Sequence, residues 1–160
     1  MGKAYLICGK LCCGKTTYAH QLRKAQKAVL LSCDEVMLSL LDEYLGERHE
    51  VYAARTETYL LQKSLEILET GISVVLDWGP WTADGRNRLK AFYRAHGYAC
   101  EVHAINVDEK EWQRRIAERN AAVDAGLCQA YHVDEGLIRK FLERYQELTP
   151  EEADVWIENF

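Results

Sequence analysis

Nine residues near the start of the chain have the types and the spacing that bind a phosphate group. Gly9 and Gly14 enclose four residues, and Lys15 and Thr16 follow directly. The glycines let the backbone turn tightly and present N–H groups to phosphate oxygens. The lysine then reaches the terminal phosphates, and the hydroxyl after it binds Mg²⁺. We expect the phosphates to lie against Gly9, Lys10, Leu11, Cys12, Cys13, Gly14, Lys15, Thr16 and Thr17.

The sequence on either side of this loop supports the same chemistry. The apolar run "AYLIC" at 4–8 precedes it, and a helical pattern begins near Lys15. A helix that starts there points the positive end of its dipole at the bound anion. We therefore expect ATP or GTP binding. Cys12 and Cys13 lie inside the loop, where a thiolate would be stabilised as a redox switch. The alternative, which we favour, is that both side chains simply fill space.

Two carboxylates follow predicted strands, at the edge where ligands of open α/β sheets bind. Asp77 ends the run "ISVVLD", which has four apolar residues, so we expect it to hold Mg²⁺ together with Thr16. Asp34 follows the apolar run at 28–32. It has the chemistry of a general base that accepts a proton from an attacking hydroxyl. It is also a good N-cap for the next helix, and the two roles do not exclude each other.

Two arginines are predicted to reach the same edge from a later helix. Arg115 and Arg119 are four residues apart in the helical stretch 109–120, so they share one face. Directed at the nucleotide, they would stabilise charge that develops on a transferred phosphoryl group. The alternative is an exposed face on which they pair with Glu111 and Glu118. Their position just before an irregular segment favours the catalytic interpretation.

Two tryptophans flank a Gly-Pro turn directly after Asp77. Trp78 and Trp81 have the shape and chemistry to form a stacking wall for a phosphate acceptor. They are equally suited to packing under the helix that follows. The sequence leaves both interpretations open.

The elements that must position these residues alternate between strand and helix. Short apolar runs separated by helices indicate a parallel sheet covered on both faces, a three-layer α/β/α sandwich. The predicted strands span 4–8, 28–32, 72–77, 99–107 and 153–157. The predicted helices span 15–25, 34–45, 50–70, 82–96, 108–120 and 134–148. Thr82 has the chemistry to cap the fourth of these helices, and Asp108, with Glu111 three residues on, the fifth.

The segment between the last two helices lacks a clean periodicity. We interpret residues 120–134 as a lid, because an enzyme that transfers phosphate must keep water away from the reacting group. Such a lid is expected to be mobile without ligand. At 160 residues the whole chain, 1–160, is expected to form a single domain.

Composition narrows the function further. The net charge of −5 argues against a general nucleic-acid binder, which needs a basic face. No run approaches 18 apolar residues, and "MGKAYLICGK" turns polar too early for a signal peptide. The six cysteines show no Cys-x-x-Cys spacing, so no zinc site is expected and Mg²⁺ is the one metal indicated. A cytoplasmic protein with reduced thiols is the expectation. The oligomeric state stays open.

Several segments together match a known group. They are "GKLCCGKTT", "LSCDEV", "VVLDWGPWTADGRNRLKAFYRAHGY", "INVDEKEWQRRIAERN" and "FLERYQELTPEEADV". With these segments in this order, the chain resembles the P-loop kinases of the zeta-toxin, chloramphenicol phosphotransferase and polynucleotide-kinase type. The resemblance is greatest to their uncharacterised bacterial ATP-binding members. The phosphate loop is generic, whereas the combined order of these segments is more specific.

The resemblance implies an ATP-dependent phosphotransferase with a five-stranded parallel core and a lid. It assigns the catalytic base to Asp34 and the phosphoryl-contacting arginines to Arg115 and Arg119. Polynucleotide kinases carry an arginine three residues after that aspartate, whereas this chain has Met37. Together with the acidic net charge, this argues against a nucleic-acid acceptor.

Three functions remain under consideration. The leading one is a kinase that moves the γ-phosphate of Mg·ATP to a hydroxyl of a small molecule. The second keeps the chemistry and makes the acceptor a polynucleotide or tRNA-linked 5′-hydroxyl. The third is a nucleotide-dependent switch with slow hydrolysis and a protein partner. The absence of an Asn-Lys-x-Asp guanine motif argues against this last function.

Overall fold

The structure is a computed structural model that describes residues 1–41 and 45–158. Among these residues, five strands form one parallel sheet in the order β2-β3-β1-β4-β5. The strands are β1 (Ala4–Gly9), β2 (Val29–Leu31), β3 (Val74–Leu76), β4 (Cys100–Asn106) and β5 (Val155–Glu158). The helices are α1 (Lys15–Gln26), α2 (Cys33–Leu40), α3 (Glu47–Glu69), α4 (Ala83–Ala95), α5 (Glu109–Asp124) and α6 (Glu135–Arg144).

The central strand β1 is buried on both faces, as its unbroken apolar run predicts. Ala4, Leu6 and Cys8 point into one core layer, which α3 and α4 cover. Tyr5 and Ile7 point into the other layer, which α1, α5 and α6 cover. Helices thus cover both faces of the sheet, and the predicted α/β/α sandwich with five parallel strands is confirmed.

The predicted strands and helices are present, and the largest differences in their bounds lie at helix ends. Helix α5 continues through Asp124, beyond the predicted end at Asn120, because two alanines follow and alanine has the highest helix propensity. Helix α6 ends at Arg144 because Tyr145 is extended and the next N–H donates to Trp81 O at 2.7 Å. The helix predicted over 34–45 ends at Leu40, and residues 42–44 lie outside the described part.

Four of the helices begin at a residue whose side chain caps the first turn. Ser32, Thr82, Asp108 and Asp134 each precede a helix and accept a hydrogen bond from the N–H three residues on. Each such cap satisfies one of the N–H groups that a helix leaves unpaired. The caps predicted at Thr82 and Asp108 are confirmed. Within the described residues, no helix combines the length and the apolar character needed to span a bilayer.

A buried arginine ties α4 to the segment after α6. Arg86 is 3% exposed, and its Nη1 donates to Gln146 O at 2.9 Å. Its Nη2 donates to Glu152 Oε1 at 3.1 Å, and Glu152 also accepts from Thr149 N at 2.9 Å. Ala83 N donates to Gln146 Oε1 at 2.7 Å, so both ends of this contact are fixed. The turn that follows Asp77 is therefore held rigidly against the end of α6.

Replacing Glu152 by alanine is expected to lower the free energy of unfolding by about 1–3 kcal/mol, because it leaves a buried guanidinium group without its counter-charge. Urea denaturation measures the change. Glu152→Gln keeps one acceptor oxygen, which serves Thr149 N or Arg86 but not both, so its effect should be smaller than that of alanine. The exposed Glu143→Ala is the control and should lie close to the unmodified protein. Equal stability of Glu152→Ala and the control would contradict the structural role of this pair.

Candidate active site

Among the described residues, no side chain accepts a hydrogen bond from the N–H groups at the start of α1. Gly14 precedes the helix with φ of +102°, no side chain caps it, and no acidic residue lies in its first turn. The first N–H groups of α1 are therefore available to an external anion, and the helix dipole favours negative charge there. This is the arrangement by which helix N-termini bind phosphate.

Two residues of the loop show how tightly it is folded. A Cβ at Gly9 would lie 2.5 Å from the Ile105 carbonyl oxygen of β4 and 2.7 Å from Cys13 Sγ, so only glycine fits. Cys12 has φ of +57°, which is uncommon for a residue with a side chain and costs free energy. Strain of this kind persists where the surrounding structure enforces it, and here the loop curves around the start of α1.

The Lys15 ammonium group lies across the mouth of the loop. Its Nζ donates to Lys10 O at 2.6 Å and to Gly9 O at 3.2 Å. Gly79 packs on the same side chain, because a Cβ there would lie 2.7 Å from Lys15 Cε. The turn after Asp77 therefore positions the lysine. A nucleotide phosphate would take over contacts that two backbone carbonyl groups make in this structure.

Asp77 and Thr16 meet beside that lysine. Asp77 is 6% exposed, and burial raises the pKa of its carboxyl group above the ordinary value. A hydrogen bond with Thr16 and the charge of Lys15 lower this pKa, whereas the charge of Asp34 raises it. A carboxylate and a hydroxyl held together are the hard oxygen donors that Mg²⁺ takes. In the described residues, no group of three or more His, Cys, Asp or Glu side chains has the arrangement of a metal site.

Asp34 lies in the first turn of α2 with an exposed side chain. Ser32, and not Asp34, is the N-cap, since the Ser32 hydroxyl accepts from Glu35 N at 3.3 Å. The N-cap interpretation of Asp34 is therefore wrong. Its carboxylate is left outside the capping interaction, near enough to Asp77 to raise the pKa of that group.

Helix α5 supports the phosphate loop with two long-range hydrogen bonds. Trp112 Nε1 donates to Leu11 O at 2.6 Å, and Arg115 Nη1 donates to Cys13 O at 2.6 Å. Arg115 Nε also donates to Glu111 at 2.6 Å, so its guanidinium group is held from two sides. Lys10 lies over the Trp112 ring, 5.1 Å from its centroid, and its ammonium group pairs with Glu109 at 3.7 Å and with Glu147 at 3.5 Å. Helix α5 thus fixes the outer side of the loop.

Arg119 lies one turn further along α5 and is less constrained. Its Nη1 contacts Cys12 Sγ at 3.5 Å, while its Nε is buried and has no hydrogen-bond partner among the described residues. Arg114 behaves differently: it is exposed and pairs with Glu111 and Glu118. The surface interpretation therefore fits Arg114, whereas Arg115 and Arg119 both reach the phosphate loop.

The aromatic residues after Asp77 pack into the core on opposite faces of the sheet. Trp81 meets Phe141 edge to face at 5.2 Å, and Trp78 packs against the layer beneath α3 and α4. The Trp78 indole nitrogen is buried without a hydrogen-bond partner among the described residues. In this structure the packing interpretation describes both side chains.

The segment after α5 and helix α6 contact α2 and α3. Gln129 Nε2 donates to Leu38 O at 3.0 Å, and the rings of His49 and Tyr131 meet edge to face at 5.1 Å. Lys140 and Arg144 of α6 both pair with Glu50 of α3. The segment predicted as a lid therefore touches α2 and α3, and the part after α5 begins at 125 instead of 121.

Sequence reasoning missed two residues that shape the site. Gly79 and Trp112 act through packing on Lys15 and a hydrogen bond to Leu11 O, and neither carries reactive chemistry. Trp112 has a weak signal in the sequence, because it shares the apolar face of α5 with Ile116. The signal for Gly79 is the Gly-Pro pair directly after a predicted metal ligand.

A model of a family described as an AAA domain matches residues 5–148. The chain belongs to this family. The AAA-domain match includes the phosphate loop, Asp34, Asp77, Arg115 and Arg119. No curated protein sequence matches the chain.

Solved structures with the same fold include two kinases and a chain of an RNA repair complex. A sugar kinase from Janibacter sp. HTCC2649 superimposes with a TM-score of 0.64 at 13% identity, covering 99% of this AAA-domain chain and 86% of that chain. The APS kinase CysC of Mycobacterium tuberculosis, in complex with AMPPNP and APS, gives 0.64 at 17%, covering 98% and 88%. The Pnkp1/Rnl/Hen1 RNA repair complex gives 0.70 at 16%, covering 89% and 43%. At these identities the likeness shows the fold.

Proposed function

We propose that this protein is an ATP-dependent kinase that transfers the γ-phosphoryl group of Mg·ATP to a hydroxyl group of a small-molecule acceptor. One observation carries the proposal. The exposed carboxylate of Asp34 lies close enough to the Thr16–Asp77 pair to change the pKa of Asp77, and it does not cap α2. A base beside a phosphate loop suits transfer to an acceptor, because it takes the proton of the attacking hydroxyl.

The phosphate loop and α5 would supply the remaining contacts to the nucleotide and its Mg²⁺. The N–H groups at the start of α1 and the Lys15 ammonium would hold the β- and γ-phosphates. Thr16 and Asp77 would hold Mg²⁺, which neutralises phosphate charge when it is bound. Arg115 keeps the loop in shape through Cys13 O, and Arg119 would contact the phosphoryl group as it moves. The segment after α5 would exclude water, and its mobility without ligand stays a prediction.

Consumption of ATP across pooled acceptors tests the proposal. Purified protein is incubated with Mg·ATP and pools of metabolites, antibiotics, nucleosides or short RNAs, with Lys15→Ala as the blank. Turnover that one pool stimulates, and that the variant lacks, is the expected result. ATP binding without stimulation by any pool would contradict the kinase assignment and favour a nucleotide-dependent switch.

Arg119→Lys is expected to lower kcat about tenfold and to change ATP affinity little, because lysine keeps the charge and loses the planar fork that binds phosphoryl oxygens. Steady-state kinetics with the stimulating acceptor measures this effect. Arg114→Lys is the matched control on the same helix, since Arg114 is exposed and pairs only on the surface. A loss of equal size in both variants would show that α5 stability, and not a phosphoryl contact, is responsible.

A second candidate acceptor is a polynucleotide 5′-hydroxyl. The structural likeness to a component of an RNA repair complex favours it. Against it, Met37 is 3% exposed and contacts Thr56 Oγ1 through its sulfur at 3.5 Å, so it faces the protein interior. Oligonucleotide binding that weakens steeply with salt would support this acceptor. Absence of such binding would leave the small-molecule acceptor.

A further inference from the structure

Helix α3 carries a carboxylate in the stripe that faces the core. Leu60, Ser64 and Leu68 are its buried residues, and Glu57 lies on the same face, about one turn before Leu60. Leu68 packs near Gly2, at the amino end of β1. At 1.5 Å per residue, Glu57 lies roughly 16 Å further along the helix axis, toward the edge that carries the phosphate loop.

Glu57 occupies this position without a hydrogen-bonded or ion-paired partner among the described residues. It is partly buried, and it forms no hydrogen bond or ion pair with any described residue. Burial raises the pKa of its carboxyl group, and only the charge of the exposed Arg88 opposes this. A desolvated carboxylate without a partner destabilises a fold, and an apolar side chain would suit the stripe better. Such a group is typical of a functional site.

Three carboxylates lie close enough to one buried thiol to act on its pKa. Burial first, and then the charges of Glu57, Asp34 and Asp77 in that order, raise the pKa of Cys33 to about 12. Cys33 is the first residue of α2 and directly precedes Asp34. Beside Glu57, Thr56 Oγ1 donates to the sulfur of the buried methionine of α2 at 3.5 Å. Glu57 therefore lies where α3 packs against α2, the helix that carries the proposed catalytic base.

Tyr131, in the segment after α5, carries a buried hydroxyl group. The Tyr131 hydroxyl oxygen is buried and has no hydrogen-bond partner among the described residues. Burial raises the pKa of Tyr131, and the charge of Asp34 also raises it, so this hydroxyl lies near the same carboxylate. An acceptor held at Asp34 would therefore have a phenol hydroxyl as well as carboxylates near it.

We propose that Glu57 determines acceptor specificity by accepting a hydrogen bond from a hydroxyl or ammonium group of the acceptor. This rests on the kinase function proposed above. The acceptor is then a neutral polyol or an amino-substituted one, positioned with one hydroxyl at Asp34 and a second donor group at Glu57. Carboxylated or phosphorylated acceptors are excluded, because their charge would lie against Glu57 and Asp34.

Acceptor pools sorted by charge test this assignment. The pools are neutral sugars and polyols, aminosugars and aminoglycosides, sugar acids, and sugar phosphates, each assayed for phosphoryl transfer from ATP. Transfer is expected in the first or second pool, with kcat/KM at least about 100-fold above that for the matching acid.

Glu57→Gln should raise the KM for the acceptor about tenfold with kcat nearly unchanged, and Glu57→Lys should shift the acceptor preference toward sugar acids. Glu69→Gln, at the exposed end of α3, is the control.

A stability measurement separates this role from a structural one without any acceptor. Glu57→Leu completes the apolar stripe, so its urea midpoint is expected to rise above that of the unmodified protein. A lower midpoint, or preferred transfer to sugar acids by the unmodified protein, overturns the role of Glu57 and leaves the kinase function standing. Intact ATP binding with no transfer in any pool overturns the kinase function itself.

Discussion

Asp34→Asn is expected to lower phosphoryl transfer by about 10²–10⁴-fold and to leave ATP affinity unchanged. Asparagine has nearly the same shape and keeps one carbonyl oxygen, but it does not accept the proton of an attacking hydroxyl group. Asp34 contributes no hydrogen bond to the phosphate loop, so the nucleotide should bind as before. Calorimetric titration with ATP and single-turnover transfer to the identified acceptor measure the two quantities separately.

The local structure makes this substitution a clean test. Ser32 caps α2, so loss of the Asp34 charge does not remove the cap. Glu35→Gln is the matched control, because Glu35 lies in the same turn with an exposed side chain and has the same charge. Full transfer activity in Asp34→Asn would show that another group accepts the proton. A loss of similar size in Glu35→Gln would indicate a general electrostatic effect at the start of α2.

The fold could be predicted from the sequence because the patterns that indicate its strands and helices are local. A continuous apolar run such as that of β1 is long enough to identify a strand buried on both faces. Capping residues such as Thr82 and Asp108 lie next to the helices that they start, and both were identified. The helix ends were harder to place. Tyr145 leaves the helix because the next N–H bonds to Trp81 O, and no local pattern records a partner that distant.

The site was only partly accessible, for a related reason. The phosphate loop and the carboxylates after the strands follow from spacing and from where strands end. The bonds from Trp112 to Leu11 O and from Arg115 to Cys13 O cross about a hundred residues, so they depend on tertiary packing. The sequence alone does not identify Glu57 as a site residue, for a different reason. A single acidic residue on a helix ordinarily indicates the exposed face, and only burial and the lack of a partner distinguish this one.

Lys15→Ala is expected to weaken ATP binding by about 1.5–3 kcal/mol, roughly 10- to 150-fold, and to abolish measurable phosphoryl transfer. The ammonium group would contact the β- and γ-phosphates in the ground state and oppose the charge that develops during transfer. Removal of one such donor alone typically lowers kcat by about 10²–10³-fold. The two effects multiply in kcat/KM, which is therefore the quantity to measure alongside the ATP dissociation constant.

The contacts that Lys15 makes without nucleotide determine how much ATP affinity Lys15→Ala should lose. Its Nζ is satisfied by Lys10 O and Gly9 O, so a nucleotide gains only the difference between phosphate oxygens and these two carbonyl oxygens. The binding loss should therefore fall in the lower part of the range, while the loss in transfer stays large. Lys24→Ala, near the far end of α1, is the control for charge. Unchanged transfer in Lys15→Ala would mean that the loop holds phosphate through backbone N–H groups alone, and the ammonium group would then serve only to brace the loop and the turn at Gly79.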